Sequence, residues 1–316
     1  MPDPILIVQS MAAAALTAAV VVLLARWPRQ TFSSARGSAA CVLGVGVGVL
    51  VGCWRLGIRP HWPPLEDQDR LLIILLPAIV VVEFAAALLG RAPYLAWLLR
   101  LIVAAAAARV LLHHSVYITD LAGPGSRLWT PAQTWLVLAG LAGALAVVWT
   151  LLIFQARQTR SWSVPFAVAI TCAGAGVTLM LSGYASGGQI GFEVLAAFVG
   201  TMLASLALPG RVAAQSVLGV AVVLLYAILV VGRFFGELST LNAGLLFAAP
   251  LLGWLPELPY VQRMGPWLRG VLRLGFTVAV IALVVVLAQK KFSEESTRNS
   301  PGSYEPTIED YMNFGK

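Results

Sequence analysis

Charge is what this chain has least of. Asp, Glu, Lys and Arg together supply 11% of its 316 residues, whereas hydrophobic residues supply 59% and the mean hydropathy is +0.86. A soluble globular domain carries about a quarter of its residues as charges, so that class is excluded. Cysteine is also scarce. Cys41, Cys53 and Cys172 all lie in apolar segments, and Cys41 and Cys53, twelve residues apart on one predicted helix, are too distant to bridge. Neither a disulfide framework nor a zinc-ligand spacing is present. Histidine occurs three times and never after His114. Lys and Arg are missing ahead of the first apolar run, residues 5–25, but follow it as Arg26, Arg29 and Arg36. That order is unlike a cleaved signal peptide and fits a retained first span.

What is present is a series of apolar runs, each long enough to cross a hydrocarbon core of about 30 Å as a helix. Residues 5–25, 39–56, 71–89, 94–114, 132–154, 164–183, 190–208, 212–232, 240–255 and 267–289 give ten expected spans. The backbone must be satisfied within the membrane, so the fold class is all-α, a polytopic transmembrane helical bundle. The ninth run is short and holds Asn242 and Pro250, so a re-entrant segment is the alternative to a full crossing. The transmembrane domain is expected over residues 1–291, followed by a polar tail, 292–316, with the disorder-promoting Pro301, Gly302 and Pro306.

The net charge of +7 points to no nucleic-acid partner, because the arginines mostly flank apolar runs. The expected partner is the lipid bilayer, with the outer loops or the tail, which ends in Tyr311, Met312 and Phe314, available to a protein. Loops after odd-numbered spans carry Arg26, Arg29, Arg36, Arg91, Arg157, Arg160, Arg211 and Arg263. The opposite face carries Arg55 and Arg59 together with Glu66, Asp67, Asp69, Asp120, Glu193 and Glu237. By the positive-inside rule the arginine face is cytoplasmic and both termini are outside, a multi-pass arrangement expected in a bacterial inner membrane. Lys290 and Lys291 then fall on the wrong side, which a re-entrant ninth run would remedy.

Within the apolar runs, Gly44, Gly48 and Gly52 recur every four residues, a pattern that lets helix backbones approach closely. The chain also repeats itself. Residues 36–45 resemble residues 211–220, 175 positions on, and residues 93–101 resemble residues 266–274, 173 positions on. Pro77 and Pro250 share the second offset, and Glu83 falls one residue from register with Glu257. Helices two to four thus match helices eight to ten in the same orientation, a parallel repeat. The units are expected at about 1–115 and 190–291, with linking helices at 130–183. Many carriers use inverted repeats instead.

Two constellations carry chemistry. Glu83 and Arg100 sit about eight residues either side of the turn at 90–93, hence at one depth, about 12 Å in. Intramembrane charges are costly and pair within the bundle. Direct contact across the hairpin is expected, with Arg109 on the same helix as an exchange partner, and with Glu257 and Arg273 as the duplicate pair. The second constellation is the loop at 59–70, which has no counterpart in the second unit. His61, Glu66, Asp67 and Asp69 are expected to converge with His113, His114 and Asp120 on the outer face, under Trp62. Imidazole and carboxylate suit a divalent metal or a proton relay; the competing reading is a rigid Pro63-Pro64 turn with an acidic start to helix three. Whether a metal binds is left open by the spacing.

Enzyme readings fail. Tyr184-Ala185-Ser186-Gly187 resembles the serine element of rhomboid-type intramembrane proteases, but those need a later histidine, and none follows His114. Glu66-Asp67-Gln68-Asp69 is one acidic run, not the repeated Asp-rich motifs with which prenyl-transfer enzymes hold magnesium. No cofactor is expected. Two readings remain: a small-solute carrier or channel using the buried Glu and Arg, and a non-transporting subunit or scaffold in which the same charges are structural staples.

Overall fold

The structure is a computed structural model and describes residues 3–25, 34–89, 93–113, 115–118, 129–159, 161–207, 214–257 and 265–298. All regular structure among them is helical. The helices are α1 (Pro4–Leu24), α2 (Ser34–Arg55), α3 (Asp67–Leu88), α4 (Pro93–Leu111) and α5 (Pro131–Thr159). They continue as α6 (Ser163–Leu181), α7 (Ala185–Ser205), α8 (Gln215–Phe234), α9 (Thr240–Ala248) and α10 (Pro266–Arg298). Among the described residues, nine helices are long and apolar enough to cross a membrane, all but α9.

The bundle is built outward from α8, nearly every residue of which is buried. A helix apolar on all sides belongs in the middle. Helices α2 to α7 and α9 all pack on it. Against this centre lies the closest-packed group, α1 with α2 and α7. The buried stripe Ser10, Ala14, Ala18 and Val22 of α1 recurs every four residues and meets the glycine stripe of α2. A Cβ on Gly44 would fall 2.9 Å from the Ala18 carbonyl oxygen, and one on Gly48 would fall 2.8 Å from that of Ala14. Only glycine permits this approach.

Helix α3 is not uniform. Residues Arg70–Leu75 form a π-helical stretch in which the Leu76 N–H donates to the carbonyl of Leu71, five residues back. Pro77, one residue later, has no N–H and crowds the preceding turn, so the widened turn absorbs the misfit before the α-helix resumes at Leu76–Leu88.

The ninth run crosses by changing helix type. Nine α-helical residues, Thr240–Ala248, pass into nine 3₁₀-helical residues, Ala249–Glu257, where Pro250 and Pro256 withhold the N–H groups an α-helix needs. At ~1.5 and ~2.0 Å per residue the two halves together reach about 30 Å. Their ends are tied to opposite ends of α10: Glu257 pairs with Arg273 at 2.6 Å, and Glu237, before α9, lies 3.9 Å from Lys291. The segment therefore runs antiparallel to α10 across the bundle and does not double back. With the nine long apolar helices among the described residues this is consistent with a bundle of about ten spans, and Lys291 has Glu237 as its local counter-charge. Helix α10 continues to Arg298, so residues 292–298, expected in the disordered tail, are helical. The rest of that tail, 299–316, lies outside the described residues.

Candidate functional site

Glu83 lies five residues before the end of α3, and Arg100 seven residues after the start of α4. At ~1.5 Å per residue both are about 8 to 10 Å inside the helix ends. They face one another. Arg100 Nε donates to Glu83 Oε1 and Arg100 Nη2 to Glu83 Oε2, each at 2.7 Å, a bidentate ion pair. Glu83 is fully buried and Arg100 only 8% exposed. Space for the carboxylate comes from Gly219 of α8, where any Cβ would fall on it. The guanidinium carbon lies 5.4 Å from the ring centre of Trp97 and 6.0 Å from that of Trp149, cation–π distances that replace part of the lost hydration.

This pair lines a cavity of about 280 Å³ at the end of the bundle where α2, α4 and α8 begin and α3 and α5 end. Ser34 and Ser38 of α2, Arg157 of α5, and Gln215 and Ser216 of α8 supply the other polar groups of its wall. Arg100 keeps N–H groups to spare there: two nitrogens are taken by Glu83, and Nη1 has no acceptor among the described residues.

The second pair is closed. Arg273, 3% exposed, donates from Nε to the Gly253 carbonyl at 3.2 Å, from Nη1 to Ser163 Oγ, and from Nη2 to Glu257 Oε1 at 2.6 Å. Every nitrogen has a protein acceptor. Arg269 adds a longer contact of 3.7 Å to Glu257. Arg109 belongs to neither pair. It is exposed, nine residues beyond Arg100 and near the other end of α4, so its expected exchange for Arg100 does not fit the geometry.

At the start of α3 the two aspartates are spent on local structure. Asp69 accepts from the His61 N–H at 3.1 Å and from the Glu66 N–H at 3.4 Å. Asp67 accepts from the Tyr184 hydroxyl at 2.5 Å, and Gln68 donates to Tyr184 Oη at 3.1 Å and to Ser186 Oγ at 2.6 Å. The start of α3 is thereby fastened to the start of α7. Burial, with the Asp67 carboxylate beside it, pushes the Tyr184 phenol well above its usual pKa. Trp62 is 78% exposed and so roofs no concavity. His113 lies exposed just past α4, and His114 and Asp120 lie outside the described residues. Among the described residues no three His, Cys, Asp or Glu side chains group as a metal site.

Two buried polar groups escaped the reading of the sequence. Glu193, counted there with the charges of the outer face, is wholly buried eight residues into α7, against Gly52 of α2. Ser10 Oγ lies 2.7 Å from its Oε1, and its Oε2 has no hydrogen-bond partner among the described residues. Gln155 of α5 is equally buried beside Gly253, with neither amide atom bonded among the described residues. The signal for Glu193 was its place within an apolar run; Gln155, near a run's end, gave none.

Compared with known proteins, the chain matches no protein family, no curated relative and no solved structure.

Proposed function

We propose that this multi-pass membrane protein is a carrier for a small solute, entered from the arginine-rich face through the cavity that ends on Glu83 and Arg100. One observation carries this reading. Of the two Glu–Arg pairs, one has every guanidinium nitrogen bonded to protein and the other opens on a polar cavity with a guanidinium nitrogen that has no acceptor among the described residues. A pair serving only as a staple gains nothing from such an opening. Glu257 and Arg273 support the scaffold reading for their own hairpin. The like spacing of the two pairs supports an ancestral duplication, and the arginines of the cavity end support a cytoplasmic location for it in a bacterial inner membrane.

The test is accessibility. In a variant whose native cysteines are replaced by alanine, Ser38→Cys should react with a membrane-impermeant maleimide added from the arginine-rich side. Thr277→Cys, buried one turn after Arg273, should not. A Ser38→Cys that stays unreactive from both sides would leave the scaffold reading in its place.

A further inference from the structure

We propose that the solute bound in this cavity is a small anion whose acceptors are carboxylate or oxyanion oxygens; this rests on the carrier reading. The argument is one of donors and charge. A guanidinium has five N–H donors and no acceptor. Arg100 spends one from Nε and one from Nη2 on Glu83, and both N–H groups of Nη1 remain, on a side chain more than nine-tenths buried that lines the cavity. Each Glu83 oxygen in turn already holds one of those donors, so the carboxylate is neutralised from within the wall. Arg157, also lining the cavity, has no carboxylate partner among the described residues. Among the described residues the titratable lining is thus two guanidinium groups against one carboxylate, an excess of one positive charge. The starts of α2, α4 and α8 at the same wall add positive dipole ends. A cation entering would meet this excess at low dielectric, and a neutral sugar would leave it unbalanced. An anion placed between Arg157 and the free edge of Arg100 completes both without displacing Glu83. Size narrows the class. With about 30 Å³ per water in the liquid, 280 Å³ corresponds to roughly nine waters, room for a short carboxylate, a dicarboxylate or phosphate.

The experiment uses the full chain purified in detergent. Thermal unfolding is followed with acetate, succinate, sulfate or inorganic phosphate, each against chloride at equal ionic strength, with choline and glucose as controls. At least one oxyanion should raise the Tm above the chloride baseline. Arg157→Gln, an exposed position that leaves the fold undisturbed, should weaken that anion's Kd roughly tenfold, the loss of one charge-assisted contact. The same anion should slow maleimide labelling of Ser38→Cys. The proposal is overturned if no oxyanion exceeds chloride, if choline or glucose stabilises instead, or if Arg157→Gln binds as tightly as the parent. It is also overturned if only phosphatidylglycerol vesicles stabilise, since the anion is then a lipid headgroup and not a solute. Labelling separates the two failures. Ser38→Cys that is reactive but indifferent to anions removes the anion and leaves the carrier; Ser38→Cys that is unreactive removes the carrier as well.

Discussion

Arg100 and Arg273 each stand seven residues after the proline that begins their helix, yet among the described residues Arg273 has all three guanidinium nitrogens bonded to protein and Arg100 only two. Neighbouring helices make the difference. Arg273 lies against the start of α6, whose Ser163 supplies an acceptor, and against the 3₁₀ stretch, whose carbonyl at Gly253 is turned toward it. Arg100 lies instead between two tryptophan faces, which offer π density but no lone pair.

Removing the cation has unequal consequences in the two pairs. Arg100→Met leaves the Glu83 carboxylate fully buried without its ion-pair partner and should cost about 3 to 5 kcal/mol in unfolding by sodium dodecyl sulfate. Arg273→Met should cost less, because Glu257 is 16% exposed and keeps Arg269 at 3.7 Å. The double variant Glu83→Leu with Arg100→Met should recover most of the loss, because no charge is then left unpaired. A double variant as unstable as the single one would show that the cost was packing against Trp97 and Trp149.

Much of this was legible in the sequence, and the limits are physical. A charge in an apolar run announces itself, and the short turn at 90–93 sets its depth, so Glu83 and Arg100 could be matched by counting. The glycine stripe of α2 was legible for the same reason, its period being that of the helix. Length marked α9 as unusual, but Pro250 alone does not tell a broken helix from one that continues as 3₁₀. The acids of the outer loop were legible as a helix start, whereas their partner, the hydroxyl of Tyr184, lies 117 residues from Asp67. Glu193 was obscured by being counted with a face, when its position inside α7 required a partner such as Ser10, 183 residues away.

The glycine stripe predicts a sharp asymmetry among glycine variants. Gly48→Ala drives a Cβ to within 2.8 Å of a backbone oxygen of α1, which has no side-chain freedom to yield, and should destabilise by about 1 to 3 kcal/mol. Gly140→Ala on α5 has open space within 4 Å and should be neutral or gain up to about 1 kcal/mol of helix propensity. The unfolding midpoints of the two variants test this directly; equal effects would mean that α1 and α2 are not in close backbone contact.

Tyr184 gives the outer loop a dependence on alkaline pH. Its folded-state pKa is raised, so the folded chain holds the phenolic proton more tightly than the unfolded chain does. The stability this contributes is complete below the unfolded value of about 10 and declines as pH rises beyond it. Tyr184→Phe removes the hydroxyl that bridges Asp67 and Gln68, and should cost about 1 kcal/mol per hydrogen bond at neutral pH. It should also flatten the alkaline limb of the Tm–pH curve. An unchanged limb in Tyr184→Phe would assign that limb to another group.

The last prediction concerns the proton between Ser10 and Glu193. Ser10 Oγ lies 2.8 Å from the Ile7 carbonyl oxygen and 2.7 Å from Glu193 Oε1, but a hydroxyl has one proton to give. The Ile7 carbonyl can only accept. If Ser10 donates to it, the contact with Glu193 persists only when the carboxyl carries its own proton and donates to Ser10 Oγ. No Lys, Arg or His forms an ion pair with Glu193 among the described residues, and Gly52 and Ala14 close the space around it. A neutral acid satisfies every one of these contacts; a carboxylate would leave Oε2 charged and unsolvated, at a cost of several kcal/mol. Glu193 is therefore expected to show the infrared carbonyl stretch of a protonated carboxyl at neutral pH, and Glu193→Gln should delete that band. The amide N–H of the glutamine replaces the acid as donor to Ser10, so the variant should keep the parent's stability to within about 1 kcal/mol. A band that survives in Glu193→Gln, or a variant several kcal/mol less stable, would place a charged carboxylate at this position.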